Sequence, residues 1–201
     1  MANAGPGAKI NGMNRERRHF IARSALLGST LALGQAGPAQ AQTGAAAPAS
    51  AATEAKAGPL PAVGAPLALP EVTLFDGNVF RPADAGGRVL VIYWWASTCP
   101  WCALQSPEIQ KLWDAQRPLG ARGLQLLTLS IDRKREDALA YLHKRGYTFP
   151  AGYVTPEVQR VLPKPKGLPI TVGRGRDGRV LQAERGQMFA EDVEALTRWV
   201  G

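Results

Sequence analysis

An α/β sandwich built around a mixed sheet is the fold class that the sequence predicts, and two observations support it. Residues 88–95 and 124–131 are nearly continuous runs of apolar, β-branched and aromatic residues, which are typical of buried strands. Helical patterns follow these runs, over residues 99–117 and about 135–145. Strand, helix, strand and helix, followed by a hairpin and a last helix, indicate a mixed sheet packed between helices.

Two hairpins and two further helical segments complete the predicted element order. Each hairpin consists of two short runs around a turn that contains Gly, which is a typical hairpin signal. The runs are residues 71–75 and 79–81 in the first hairpin, and 170–174 and 179–184 in the second. A short helical turn and a last helix are expected over residues 156–162 and 190–200.

The helix that follows the first main strand has clear start signals. Ser97 or Thr98 is expected to cap it, and Pro100 suits its first turn. Asp132 is expected to cap the next helix in the same way. The inner face of the first helix is predicted to carry Cys102, Ile109, Leu112 and Trp113.

The net charge of +8 does not by itself indicate a nucleic-acid partner. Residues 1–41 hold five basic residues and one acidic residue, and the rest of the chain holds 19 basic and 15 acidic residues. These charges are scattered and form no long run or helical stripe, so a solvated surface is the better interpretation. We expect no nucleic-acid binding.

Residues 1–41 have the layout of an export signal. A basic stretch with Arg17 and Arg18 precedes a short, weakly apolar stretch, and an Ala-Gln-Ala sequence predicts cleavage after Ala41. The paired arginines resemble the twin-arginine signal, with Glu16 where Ser or Thr is usual; an ordinary secretory leader is the alternative. The apolar stretch is shorter than the roughly 20 residues of a membrane-spanning helix, so stable membrane insertion is not expected.

The sequence divides the chain into three parts. The predicted signal peptide covers residues 1–41. Residues 42–66 are mostly Ala, Pro and Gly and cannot bury enough apolar surface to order themselves, so they are predicted to be a flexible linker. Residues 67–201 form the predicted folded domain.

Both cysteines of the chain lie in one Cys-x-x-Cys sequence, directly after the first main strand. At the start of a helix, backbone N–H groups and the helix dipole favour a thiolate and lower the pKa of the first thiol. The second thiol lies one turn further on the core side, where it can attack a mixed disulfide formed on the first. We predict a redox-active disulfide with Cys99 as nucleophile and Cys102 as resolving thiol, and no cofactor or metal.

Two other roles for this cysteine pair are less favoured. A structural disulfide that closes so short a loop would constrain the unfolded chain very little. A metal site would need ligands from a partner chain, because His143 is the only histidine outside the predicted leader.

Three features of the sequence resemble the thioredoxin superfamily. The run from Val89 to Cys102 resembles the strand and cysteine motif of that superfamily, and Pro107 stands where thioredoxin-like helices carry a kinking proline. Leu168-Pro169 resembles the family's cis-proline loop. The match is best to the exported TlpA-like and ResA-like disulfide reductases.

The resemblance covers about residues 67–201 and implies a thioredoxin-like, three-layer α/β/α sandwich. An N-terminal β-hairpin and a central insertion, over about residues 135–163, fit the TlpA-like branch. The cis-proline loop of this family packs beside the disulfide and presents backbone groups to an extended peptide. Trp101 and Leu168 are therefore expected to line a peptide groove beside Pro169, although Trp101 as a simple cover over the disulfide is an equal alternative.

The chain departs from the family at the residues that handle protons. Gln105 stands where many TlpA-like reductases have an acidic residue, and Tyr93 stands where thioredoxin has a buried aspartate. Thr98 replaces the common tryptophan before the first cysteine. The general base is therefore not assigned, and Glu108 is expected to be a solvated helix residue.

The resemblance implies a periplasmic protein-disulfide reductase. Its expected partners are a membrane thiol–disulfide electron donor and client proteins with oxidised cysteines, such as apocytochromes c or copper-site proteins of an oxidase. A thiol oxidase or isomerase with the same site is one alternative, and a copper or zinc chaperone is another. A peroxiredoxin is disfavoured because Ala96, not threonine, stands three residues before Cys99.

Overall fold

A five-stranded mixed sheet forms the centre of residues 58–200, the part of the chain that the computed structural model describes. The predicted leader and most of the predicted linker lie outside these residues. The strands are β1 (Val72–Thr73), β2 (Val79–Phe80), β3 (Leu90–Trp95), β4 (Gln125–Ser130), β5 (Ala151–Tyr153), β6 (Ile170–Arg174) and β7 (Val180–Arg185). The α-helices are α1 (Pro100–Gln116), α2 (Arg135–Arg145), α3 (Pro156–Val161) and α4 (Ala190–Glu194). Short 3-10 helices cover Pro82–Ala85, Arg117–Arg122 and Ala195–Trp199.

The sheet has the order β5-β4-β3-β6-β7, with β3 at its centre. β3 pairs in parallel with β4, which pairs in parallel with β5, and α1 and α2 lie between these strands in the chain. β6 pairs antiparallel with both β3 and β7, and β6 and β7 form a hairpin. The small hairpin of β1 and β2 forms a separate two-stranded sheet. The mixed sheet and both hairpins are therefore confirmed.

Successive side chains of β3 point to opposite faces of the sheet, and each face builds its own core. Tyr93 and Trp95 belong to one buried cluster, together with apolar residues of α1, α2 and α4. Ile92 and Trp94 belong to the other cluster, with the small hairpin and α3. All six residues of β3 are buried, which explains why its sequence shows no polar alternation. These layers match the predicted α/β/α sandwich.

The faces of α1 follow the prediction with one difference. Cys102, Ile109 and Leu112 are buried, while Trp113 is only partly buried at the edge of the cluster. Gln105 and Ser106 are completely buried on the same face, which their polar side chains did not indicate.

The predicted cap of α2 is wrong. Lys134 occupies the N-cap position, and its side chain makes no capping bond. Asp132 is buried instead and accepts hydrogen bonds from the backbone N–H and hydroxyl of Ser97 and from the Ser130 hydroxyl. Its carboxylate is thus engaged by Ser97 and Ser130, and α2 has no side-chain cap.

Part of the predicted linker is hydrogen-bonded to the sheet. The Gly64 N–H donates to the Val180 carbonyl over 2.8 Å, and the Val180 N–H donates to the Ala65 carbonyl over 2.9 Å. Further back, the Gly58 carbonyl accepts from the Lys166 N–H over 2.9 Å. Residues 58–66 therefore pack with the domain, ahead of the predicted boundary.

Within residues 58–200, no helix combines the length and the apolar composition needed to cross a bilayer.

Candidate active site at the start of helix α1

Cys99 ends the short connection from β3 and is the N-cap residue of α1. Its backbone is extended, and its Sγ accepts a hydrogen bond from the Cys102 N–H over 3.2 Å. The prediction that Ser97 or Thr98 caps this helix is therefore wrong. Pro100 takes the first helical position, so the residue directly before it becomes the cap, and a thiol replaces the usual oxygen.

The environment of Cys99 favours its thiolate. A hydrogen bond with the Cys102 side chain lowers the pKa of Cys99 to about 7, helped by the backbone N–H groups of Cys102 and Trp101. The positive charge of Lys164 acts in the same direction, and partial burial of the thiol opposes these effects. Cys99 is therefore a partly exposed sulfur that is substantially ionised near neutral pH.

Cys102 has the opposite properties. It is free and completely buried, one helical turn after Cys99. The hydrogen bond to Cys99 and burial both raise the pKa of Cys102 well above its ordinary value. Two neighbouring thiols thus differ sharply, with one ionised and accessible, the other protonated and covered.

Tyr93 and Gln105, at the two positions where the resemblance implies an acidic residue, are both buried and neutral. The Tyr93 hydroxyl lies 3.3 Å from the Cys102 carbonyl oxygen and 3.1 Å from Ser106 Oγ. Burial raises the pKa of Tyr93 well above its ordinary value, so it keeps its proton. Gln105 uses its amide structurally: Nε2 donates to Thr171 Oγ1 over 2.8 Å, and Oε1 accepts from the Met188 N–H over 2.9 Å.

The predicted cis-proline loop is confirmed, because the Leu168–Pro169 peptide bond is cis. Ile170 pairs with Trp94, so this loop lies at the end of β6 that neighbours the end of β3, four residues before Cys99. Pro169 is buried, and Leu168 is partly buried against the same cluster as Cys99. The sheet register thus brings the loop to the end of the sheet that carries the cysteines.

Trp101 follows Cys99 by two residues and is 58% exposed. Leu104, one turn further along α1, is also exposed. Glu108 is partly exposed and forms an ion pair with Lys111, 2.9 Å away, as expected of a solvated helix residue. His143 is exposed on α2.

Sequence reasoning missed Lys164 and Ser106. Lys164 is only 2% exposed, and its charge acts on Cys99 from the segment before the cis-proline loop. The sequence feature that could have indicated Lys164 is its position between two prolines, shortly before the Leu168-Pro169 sequence. Ser106 is completely buried. It could have been identified because residues four apart lie on the same face of a helix, which places it next to Cys102 on the inner face of α1.

Metal-ligating side chains do not cluster in the described part of the chain: no group of three or more His, Cys, Asp or Glu residues is placed to hold an ion there.

Residues 63–153 match the AhpC/TSA family, and no curated relative matches the chain. Among solved structures, the fold is similar to a thioredoxin-family thiol:disulfide interchange protein from Chlorobium tepidum, with a TM-score of 0.61 and 19% identity. That alignment covers 70% of this chain and 99% of the other. StoA from Bacillus subtilis is also similar, with a TM-score of 0.55 and 20% identity over 70% of this chain and 100% of its own.

A third similar structure is the thioredoxin domain of a thiol-disulfide oxidoreductase from Bacteroides vulgatus. It has a TM-score of 0.58 and 17% identity, over 70% of this chain and 99% of its own length. At these identities the comparisons bear on the fold, and they confirm the predicted fold class.

Proposed function

Because this chain has the fold of the thioredoxin superfamily, with its two thiols at the start of α1, we propose that it is a thiol–disulfide oxidoreductase. The observation that carries the proposal is the asymmetry of the pair. Cys99 is accessible and has a pKa of about 7, whereas Cys102 is buried and protonated. That difference suits an exchange in two ordered steps.

In the first step, the Cys99 thiolate attacks one sulfur of a client disulfide. A bond forms between Cys99 Sγ and that sulfur, and the other client sulfur leaves as a thiolate and takes up a proton. In the second step, Cys102 loses its proton and attacks Cys99 Sγ. The Cys99–Cys102 disulfide forms, the client sulfur leaves, and two electrons have passed from the protein to the client.

We further propose that the protein works in the periplasm as a reductase. The support comes from the sequence: residues 1–41 have the layout of a cleaved export signal, and the motifs resemble those of the exported TlpA-like branch. Its partners are then a membrane thiol–disulfide donor and client proteins with oxidised cysteines, with cytochrome c or oxidase maturation as candidate pathways. Leu168 and Pro169, with Trp101, form the proposed client-binding surface.

The reduction potential of the Cys99–Cys102 pair tests the direction of the reaction. It is measured by tryptophan fluorescence in dithiol buffers, with Cys102→Ser as the control that forms no internal disulfide. A potential near or below about −270 mV supports a reductase that a donor must keep reduced. A potential near about −120 mV would instead indicate a thiol oxidase.

The match to the AhpC/TSA family calls for one more assay. Reduced protein is mixed with hydrogen peroxide or with oxidised insulin, and thiol loss is followed in each mixture. We expect rapid reduction of insulin disulfides and slow consumption of peroxide. The opposite ranking would make the protein a peroxidase.

A separate metal analysis tests the chaperone alternative. Stoichiometric copper on the anaerobically reduced protein would favour that alternative.

Export is tested separately by fractionating cells that produce the full chain. We expect periplasmic protein that begins after Ala41. Replacing Arg17 and Arg18 together by lysine is expected to block export by the twin-arginine route, because that route reads the arginine pair. Unchanged export of the double variant would identify the ordinary secretory route.

A further inference from the structure

Cys102 must become a thiolate to complete the exchange, yet it lies in a buried pocket without a neighbouring carboxylate side chain on β3 or α1. Cys102, Tyr93 and Ser106 are all completely buried. The positions that carry acids in related sequences hold Tyr93 and Gln105, and the Gln105 amide is engaged with Thr171 and Met188. Besides the Ala96 backbone, the hydrogen-bonding group that β3 brings to the Cys102 side chain is the Tyr93 hydroxyl.

The two hydroxyls form a pair in which the Tyr93 proton is directed towards Cys102. Tyr93 and Ser106 are hydrogen-bonded over 3.1 Å, and either oxygen can be the donor. When Ser106 donates to Tyr93, the Tyr93 hydroxyl donates its own proton to the Cys102 carbonyl oxygen, 3.3 Å away, and the same hydroxyl is within hydrogen-bond reach of the Cys102 side chain. Ser106 thereby fixes the direction of the Tyr93 hydroxyl.

We propose that Tyr93 is a positioning residue for the second step of the exchange: oriented by Ser106, its hydroxyl donates a hydrogen bond to the Cys102 sulfur as that sulfur becomes a thiolate. This inference rests on the proposed function. Tyr93 does not accept the proton. Cys102 gives its proton to solvent, its sulfur bonds to Cys99 Sγ, and the departing client thiolate takes up a proton from water.

The titration behaviour of the site agrees with a donor role. Hydrogen bonding to Cys99 and burial raise the pKa of Cys102, and hydrogen bonds with the Ala96 backbone and then with the Tyr93 side chain oppose them. Two other titratable groups lie near the site. Tyr141 on α2 raises the pKa of Tyr93, and Lys164 lowers the pKa of Cys99.

Ellman's reagent separates the two steps in one experiment on the full, reduced chain. Attack by Cys99 releases one equivalent of the coloured thiolate and leaves a mixed disulfide on the protein. Attack by Cys102 on that mixed disulfide then releases a second equivalent. Stopped-flow absorbance resolves the two releases, and the pH is varied from below to above neutral.

We expect Tyr93→Phe to slow the second release about tenfold, to move its pH midpoint upward, and to leave the first release within about twofold of wild type. Ser106→Ala is expected to have a smaller effect of the same kind, because the Tyr93 hydroxyl remains but is less well directed. Tyr141→Phe is the matched control, since it removes a hydroxyl from α2 in the same core cluster. It should leave both releases unchanged.

Two results would overturn the inference. One is a second release in Tyr93→Phe with the rate and pH midpoint of wild type. The other is an equal slowing of both releases together with a lower melting temperature, which would indicate a purely structural role. A wild-type protein that releases only one equivalent would contradict the proposed function itself. If Tyr93→Phe fails to fold, the pH midpoint in Ser106→Ala decides.

Discussion

Lys164 brings a buried positive charge to Cys99. The hydrogen bond with Cys102 is the main reason for the lowered pKa of Cys99, and the charge of Lys164 adds to it. Lys164→Met removes the charge and keeps an unbranched side chain. We expect the pH midpoint of Cys99 alkylation by iodoacetamide to rise from about 7 towards its ordinary value.

The matched control for that substitution is Lys166→Met, because Lys166 is exposed two residues further on. The pH midpoint of Cys99 alkylation in Lys166→Met should equal that of wild type. Equal shifts in both variants would mean that the general charge of the loop matters and that the buried position of Lys164 does not.

Gln105 connects α1 to the sheet and to the segment before α4. Gln105→Ala leaves the buried Met188 N–H without its acceptor and removes the donor to Thr171 Oγ1. We expect the free energy of unfolding, measured with urea, to fall by about 1–3 kcal/mol. Gln182→Ala is the control, since its side-chain hydrogen bonds are exposed, and it should change stability by less than about 0.5 kcal/mol. Equal losses would contradict this role of Gln105.

At the level of single residues, the candidate site could be predicted from the sequence where a local motif indicates the chemistry. Cys99, Cys102 and Pro169 stand in short patterns whose context could be read from neighbouring residues. Lys164 and Ser106 could not be assigned in this way. Their burial depends on how a distant loop and a helix face pack together, and polar side chains at such positions look like surface residues.

Strand β5 was not predicted because it has only three residues, one of which is a glycine. Its register with β4 and the contact with the small hairpin define it: Leu129 pairs with Gly152, and Leu74 forms a bridge to the same glycine. Both partners are distant in sequence. By contrast, β3, β4 and the helices after them were predictable because each has a long apolar pattern.

Gly152 allows the small hairpin to approach β5 closely. A Cβ added there would overlap Val72 Cγ1 and would lie 3.2 Å from the Thr73 carbonyl oxygen. We expect Gly152→Ala to lower the free energy of unfolding by about 1–3 kcal/mol, because the hairpin must shift. Chemical denaturation measures this loss.

Gly173→Ala is the matched control for that substitution. It is also a strand glycine, in β6, and its nearest contacts would be ordinary ones at 3.9 Å. Stability should be unchanged or slightly higher, since alanine restricts the unfolded chain. If both substitutions cost the same, the loss is a general property of alanine in these strands and not of the hairpin contact.

The whole domain includes the segment before residue 67. Leu60 packs against the second core cluster, and Gly64 and Ala65 are hydrogen-bonded to Val180. We expect a fragment of residues 67–201 to be less stable than a fragment of residues 58–201 by about 2 kcal/mol or more, from lost apolar burial and hydrogen bonds. Identical urea midpoints for the two fragments would show that this segment adds nothing to folding.

The overall arrangement was predictable because the order of strands and helices leaves few ways to build a sheet. The packing of residues 58–66 against the domain was not predictable. Residues 58–66 are rich in Gly, Pro and Ala, and they are held by backbone hydrogen bonds to distant residues, together with packing of Leu60 against the second core cluster.

The two ends of the described chain lie at opposite ends of the sheet, which matters for any laboratory use of the protein. Gly58 is hydrogen-bonded to Lys166, three residues before Pro169, whereas the Val200 carbonyl accepts from Arg176 in the turn between β6 and β7. A fusion partner or surface linkage joined at Gly58 would start beside the loop that we propose to face clients. Coupling through the C-terminal end would leave Cys99 open, so immobilised protein for client capture is best attached there.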